Sequence, residues 1–548
     1  MTVKRFAGLE TEFGILAPQD LTANATVLSA RLINAHADLV ARERHHVAAT
    51  SWDYTDERPL QDARGFEMDR DQAHPSQLTD TPRELTAEEI ALSTDAQPGK
   101  IFKEEASMLA AMYREDANDV GHVRMNMVLG NGARFYVDHA HPEYSSPETL
   151  WPADTVLWDQ AGDVIARRAA DHVRDVWGLG ELLVYKNNTD GKGQSYGAHE
   201  NYLMPRSVDF EKAAAALIPF FATRQVFCGS GRVGIGMRSG YPGFQISQRA
   251  DFFEAEIGLE TTVRRPIVNT RDEPHSNWEK YRRLHVIIGD SNMGQVSTYL
   301  RVGATSLVLA LIEAGRAPEI GLLDPVESLQ TISHDPQARA VVRLKDGRRL
   351  TAIDIQRIYY DAAASLCADT GADTEPQTAD VLQRWGATLD ALARDPFEVA
   401  STVDWVAKYQ LLSAYRDRNG LDWDDPRLAM MDLQWSDLRR DKGLFFKLAD
   451  RGRVERLFDD AAIERAVGNP PEDTRAYLRG RAVSAFPDHV VGANWDALSF
   501  SVPGRARVQR RSLMDPYWGS RATVEKLFEM QNDIAEFVDA LPRGDRGA

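Results

Sequence analysis

The strand that opens the chain sets the strongest limit on how it can fold. In Gly8-Leu9-Glu10-Thr11-Glu12-Phe13-Gly14-Ile15, apolar Leu9, Phe13 and Ile15 alternate with Glu10 and Glu12. Successive side chains of a strand point to opposite faces, so both carboxylates leave one face and the apolar residues leave the other. Two readings of the polar face stay open. It meets solvent at a sheet edge, or it is the inner face of a curved sheet that collects oxygen ligands for a hard cation.

The following chain supplies partners for such a strand. Met125–Leu129 and Ala133–Asp138 flank Gly130-Asn131-Gly132, whose glycines suit the positive φ angles of a tight turn. Residues 150–177 predict an amphipathic helix, with Val156, Leu157, Val164, Ile165, Ala169 and Val173 at helical spacing. Leu182–Lys186 and His199–Met204 read as strands around the polar loop NNTDGKGQSYGA, with further strands at Gly243–Gln248, Phe252–Ile257 and Leu284–Ile288. Residues 301–315 predict a helix, its apolar run Ser306–Ile312 forming one face, and several more helices are expected between 353 and 460. From Asp69 to Asn118 the chain is polar and interrupted by prolines, with one modest helical stretch at Ile101–Tyr113; it reads as a long insertion, either a surface loop or a lid. The character changes again at Asn469-Pro470-Pro471. Beyond it, Ala497–Val502 and Arg507–Leu513 read as strands and Ala522–Leu541 as a helix, a candidate small domain.

Composition narrows the function. Two distant cysteines, Cys228 and Cys367, cannot supply a disulfide scaffold or a cysteine-based metal site. A net charge of −18 argues against nonspecific nucleic-acid binding. Glu10 and Glu12 stand where a secretory signal needs an apolar core, and no apolar run reaches the ~18 residues of a membrane span, so a soluble cytoplasmic chain with reduced thiols is expected. Gly229-Ser230-Gly231-Arg232-Val233-Gly234 matches a dinucleotide fingerprint, but the glycine-rich run after it does not open a helix. Neither a complete P-loop, a GxSxG elbow nor an HExxH helix is present.

What remains is polar chemistry on strands. Alternation puts Arg134, Tyr136 and Asp138 on one face, with Phe135 and Val137 on the other, and Glu143 follows just after Pro142. His199 and His285 each sit in a strand, where an imidazole is either a structural hydrogen-bond partner or a ligand.

Taken together, GLETEFGI, NGARFYVDHAHPEYSSPE, YKNNTDGKGQSYGAHENYLM, SGRVGIG, QISQRADFFEAEIGLETT and NTRDEPHSNWEKYRRLHVIIGDSN resemble the Pup ligase/Pup deamidase family of actinobacteria. DLQWSD, DKGLF and NPPEDTRAYLRG continue the resemblance, which spans almost the whole chain apart from 69–118. The family holds a ligase that attaches the small protein Pup to substrate lysines. It also holds an amidohydrolase that deamidates the C-terminal glutamine of Pup and removes Pup from modified proteins. Asp138 and Glu143 here are one residue closer together than in the ligase, and Asp190–Gly193 and Gly231–Gly236 likewise resemble the amidohydrolase. The segment after Trp52-Asp53-Tyr54 and Gly65-Phe66 stands where that branch carries an extra loop, and here it is longer.

The resemblance implies an α+β fold similar to glutamine synthetase and the carboxylate–amine ligases. It consists of a curved, mostly antiparallel sheet with packed helices over 1–475 and a small C-terminal domain over 476–548. It implies ATP and Mg²⁺ as cofactors, and Pup and pupylated proteins as partners, with a functional link to the bacterial proteasome or an unfoldase. Nucleic acid and membrane are not expected partners. Asp138 matches the catalytic aspartate, and its role as nucleophile or general base stays open. Glu10, Tyr136 and Glu143 match metal-site positions, and Arg134, Ser146 and Trp495 match nucleotide contacts. His199 and His285 as ligands and Arg249 as a cofactor contact are further positions at the ATP–metal site. Glu12 is a ligand or a group behind one. A ligase of the same fold and a non-catalytic Pup-binding or ATP-sensing protein are the alternatives.

Overall fold

A computed structural model describes residues 2–44, 50–74, 77–78, 124–530 and 533–542. Most of the 69–118 insertion, including the expected helix at Ile101–Tyr113, lies outside the described residues. Six strands form the central sheet: β1 (Ala7–Glu12), β2 (Asn126–Val128), β3 (Arg134–Asp138), β4 (His141–Ser145), β5 (Ala198–Pro205) and β6 (Tyr281–Val286). Their order is β6-β5-β1-β4-β3-β2 and every pairing is antiparallel. The glutamate-bearing β1 is therefore central, flanked by β5 and β4, and its polar face is not a sheet edge. It ends at Glu12, and the chain resumes as a separate strand, Gly14–Leu16, paired with Leu183–Tyr185.

Helices α1 (Ala25–Arg44) and α2 (Pro152–Asp175) cover one face of the sheet. Phe135, Tyr144 and Met127 of the sheet share an apolar cluster with Leu32 and Ile33 of α1 and Ile165, Ala166 and Ala169 of α2. This packing fixes which way each strand faces, because a one-residue slip would turn every apolar side chain outward. The turn between β2 and β3 differs from expectation. Only Gly132 has a positive φ, 82°. Asn131 instead is buried, its amide donating to the Tyr144 hydroxyl and the Ala466 carbonyl, both at 3.1 Å.

A second cluster gathers α3 (Phe210–Cys228), α4 (Gln295–Glu313) and the helices Ala352–Thr370 and Pro376–Arg394. The helix expected over 301–315 begins earlier, at Gln295, and is buried from Gln295 to Ile312, not on one face alone. It is the one helix among the described residues long and apolar enough to cross a membrane, and that window is wholly buried inside the protein. A third cluster lies under a four-stranded sheet built from Val490–Ala493, Ala497–Phe500 and Gln509–Ser512, with Ser51–Trp52 added parallel to Val490–Ala493. One strand of the C-terminal sheet thus comes from the N-terminal part of the chain. The helix expected over 522–541 appears as Arg521–Met530 and Ile534–Ala540.

Glu148 clamps the C-terminal unit to the central sheet. It accepts from Arg475 Nε at 2.8 Å and forms a two-pronged pair with Arg479. Arg475 also donates to the carbonyls of His275 and Leu513 at 2.7 and 2.6 Å. Burial would raise the Glu148 carboxyl, but the charges and hydrogen bonds of Arg479 and Arg475 outweigh it and hold it at about 2.

Two tests follow from this packing. A Cβ at Gly162 of α2 would lie 2.3 Å from the Tyr144 ring, so Gly162→Ala should destabilise by ~1–3 kcal/mol in denaturant melts, the opposite sign to an open helical glycine. Glu148 has a depressed folded-state value, so its contribution is present above its ordinary 4.5 and is lost as pH falls toward about 2. Stability profiles over that window should be steeper for the wild type than for Glu148→Gln.

Candidate active site

Strand register builds the site. Ser145 lies opposite both Glu10 and Arg134, and Glu143 lies opposite both Glu12 and Tyr136. On the other flank of β1, Glu10 lies opposite His199, and Asn201 opposite His285. With a period of two, Glu10, Glu12, Arg134, Tyr136, Asp138, Glu143, His199, Asn201 and His285 all share the face that α1 and α2 leave uncovered. The motif His199-Glu200-Asn201-Tyr202 shows the alternation directly. Its first and third residues join the site. Glu200 and Tyr202 point into the helical core, where Glu200 pairs with Arg224 at 2.5 Å.

Two ligand groups form on this face. In the first, the donor atoms of Glu10, His199 and His285 lie within 4.8 Å of one another. Glu10 Oε2 is 3.1 Å from His199 Nδ1, and Oε1 accepts from the Asn201 amide at 2.8 Å. Asn201 Oδ1 is in turn 2.9 Å from His285 Nδ1. Burial pushes Glu10 up, but the His199 hydrogen bond and the charges of His285, His199 and Arg283 hold it well below the ordinary carboxylate range. Burial, with Arg283 adjacent, holds His285 well below the ordinary imidazole value, so it presents a neutral ring.

The second group is Glu12, Asp138 and Glu143, again with donor atoms within 4.8 Å. Tyr136 donates to Glu143 Oε1 at 2.5 Å, and the Ser145 hydroxyl reaches the same oxygen at 3.3 Å. Burial and the charges of Asp138, Glu10 and Glu12 push Glu143 well above the carboxylate range. Asp138 shifts the other way. Burial raises it, but the His139 hydrogen bond and the charges of His139, His199 and Arg134 leave it lowered. Four carboxylates crowded on a largely buried face repel one another, and a divalent cation relieves that repulsion. The all-oxygen group fits a hard cation such as Mg²⁺. The mixed Glu10–His199–His285 set also accommodates a borderline divalent ion.

Arg134 is wedged between rings, its guanidinium 3.8 Å from the Tyr136 centroid and 4.1 Å from that of Trp52. Its Nε donates to Asn126 at 3.0 Å. On the same face opens a pocket lined by Gly8, Glu10, Ser146, Asn201, His275, Arg283, Arg475 and Trp495, among others. Ser146 and Trp495 thus face one space, although the Ser146 hydroxyl also accepts from the Leu9 amide at 3.0 Å. Arg249 does not line this cavity; its Nη1 donates to the carbonyls of Ile287 and Gly289 and its Nε to Ser195 Oγ, and the charge of Glu12 acts on it. Burial and neighbouring Arg265 lower it to about 9.

Several contributors escaped the sequence reading. Asn201 is two residues from His199 on the same face, so strand periodicity alone could have found it. Trp52, His275, Arg283 and Arg475 reach the site through tertiary packing, for which no local pattern exists.

Comparison with known proteins identifies the family. The family model described as Pup-ligase protein matches residues 5–499. The depupylase of Acidothermus cellulolyticus is 47% identical over 98% of this chain and 99% of its own length. The Pup deamidase/depupylase of Mycolicibacterium smegmatis is 45% identical over 98% of this chain and 100% of its own. The Pup–protein ligase of Actinosynnema mirum is 43% identical, but over 66% of this chain and 80% of its own. Among solved structures, the ligase PafA in complex with Pup superposes with a TM-score of 0.72 at 29% identity, covering 100% of this chain and 99% of that one. PafA in complex with ADP gives 0.68 at 33% identity, covering 87% of this chain and 100% of that one. The expected α+β architecture, a mostly antiparallel sheet with packed helices, therefore holds, and the chain belongs to the Pup-ligase protein family.

Proposed function

We propose that this protein hydrolyses amide bonds at the C-terminus of Pup, deamidating a terminal glutamine and cleaving the isopeptide bond between Pup and a substrate lysine. The observation that carries this reading is the place of Asp138. It ends β3 on the face that carries both candidate ligand groups, in a chain that aligns by sequence with a depupylase over 98% of its length and with a ligase over 66%.

Asp138 either adds to the amide carbonyl carbon or takes a proton from the attacking water. In both cases the C–N bond breaks, the nitrogen leaves protonated as ammonia or lysine amine, and water supplies the new carboxylate oxygen. Glu10, His199 and His285, with Glu143 and its partner Tyr136, would hold the cation, and Ser146, Trp495 and Arg134 would contact the nucleotide. Bound Mg²⁺, accompanying ATP, would supply positive charge to the site, and hydrolysis of an amide does not require turnover of the nucleotide. Arg249, held by the carbonyls of Ile287 and Gly289, is a further cofactor contact at the ATP–metal site. The setting we propose is cytoplasmic, with the proteasome or an unfoldase acting on the same pool of pupylated proteins.

Mass spectrometry tests the reaction. With Mg²⁺ and ATP, Pup ending in glutamine should gain about one dalton, as an amide becomes an acid, and a pupylated protein should be released intact. Asp138→Asn should lose at least ~10³-fold in rate. A Pup–lysine adduct with ADP accumulating would instead identify a ligase. Chelation should abolish activity, and Glu143→Gln should raise the Mg²⁺ concentration needed for half-maximal rate by ~10–100-fold.

A further inference from the structure

The connection between β3 and β4 is as short as a hairpin allows. Asp138 and His141 are a cross-strand pair, so His139 and Ala140 alone make the turn. His139 has a φ of 52°, a conformation that disfavours side chains and for which such turns usually take glycine or asparagine. Its Nδ1 is 2.9 Å from Asp138 Oδ2. Among the described residues, this is the one side-chain hydrogen bond that Asp138 receives. The pair stands at the open side of the site, the ring 40% and the carboxylate 25% exposed, within reach of an incoming peptide and of water.

From this geometry we propose that His139 is a positioning residue for Asp138, its Nδ1–H holding Oδ2 so that Oδ1 faces the scissile carbonyl or the attacking water. The inference rests on the reading of Asp138 as the group that acts on the amide. Strand β3 ends at Asp138, so the backbone beyond it no longer lies in a ladder that would fix the carboxylate. The hydrogen bond from the next residue supplies that restraint. The three other carboxylates on this face, Glu10, Glu12 and Glu143, repel Asp138, and a donor on the outer side counters rotation away from them. A turn selected for its backbone alone would have no use for an imidazole here. One oxygen fixed and one presented is the arrangement that either chemical role of Asp138 requires, because a carboxylate turned by even ~1 Å loses attack geometry.

The test is steady-state deamidation of Pup ending in glutamine by the full-length protein with Mg²⁺ and ATP. It compares His139→Gly, His139→Asn and Asp138→Asn with the wild type, alongside melting curves. Glycine accepts the positive φ without strain, so His139→Gly should melt no lower than the wild type. Its kcat should fall ~10–100-fold while KM stays within ~3-fold, the split expected when only transition-state geometry is lost. Asparagine tolerates the same φ and carries an amide N–H at the level of Nδ1. His139→Asn should therefore recover to within ~5-fold of wild-type kcat. If His139→Gly keeps its kcat, or if His139→Asn is as slow as His139→Gly, the positioning role is overturned. If Asp138→Asn itself stays active, the reading of Asp138 is what falls.

Discussion

Everything on the catalytic face answers to one electrostatic problem, the gathering of Glu10, Glu12, Asp138 and Glu143 on a single largely buried surface. Burial and mutual repulsion both oppose ionising such a set. The protein meets this unevenly. Glu10 is drawn down by two imidazoles and Arg283, while Glu143 is pushed up by burial and its three carboxylate neighbours and accepts from the hydroxyls of Tyr136 and Ser145. A divalent cation on this face would offset both the burial and the repulsion.

The rest of the architecture holds that surface in place. The opposite face of the same strands is sealed by α1 and α2, and the sealing determines the register that brings five strands' polar residues together. The helical core contributes from the side of β5, where Glu200 is fully buried against Arg224 and Arg301 and so fixes the strand that presents His199 and Asn201. A buried charge left without its partner costs several kcal/mol (~3–5), so that pair resists any slip of β5.

Much of this was legible because strands have a strict period. Glu10 with Glu12, and Arg134 with Tyr136 and Asp138, share a face by alternation alone, and the structure brings both sets together. The ambiguity of β1 between a wet edge and an inner face could not be resolved locally. It depended on β4 and β5 flanking β1 from distant parts of the chain. The same limit explains why Gly130-Asn131-Gly132 suggested more left-handed backbone than it has. It explains why the helix at Gln295 read as one-faced when neighbours surround it. It also explains why Ser51–Trp52 gave no sign of joining a sheet more than four hundred residues downstream.

The shared strand joins two parts of the chain at the pocket beside Trp495. Trp52 enters with Ser51–Trp52, packs edge-on against Trp495 at 5.1 Å, and offers its other side to Arg134. The cavity wall is thus a composite: Glu10 comes from the central sheet, Ser146 from just past the end of β4, Arg475 from the N-cap of the helix Ala476–Ala485, Trp495 from the C-terminal unit, and His275 from the connection before β6. Glu148 bridges the same two units through Arg475 and Arg479. Separating the units would therefore open the cavity and leave Glu148 unpaired together. Binding at this end and docking of the C-terminal sheet are consequently one equilibrium: a ligand that touches both walls stabilises the closed arrangement by its own binding free energy.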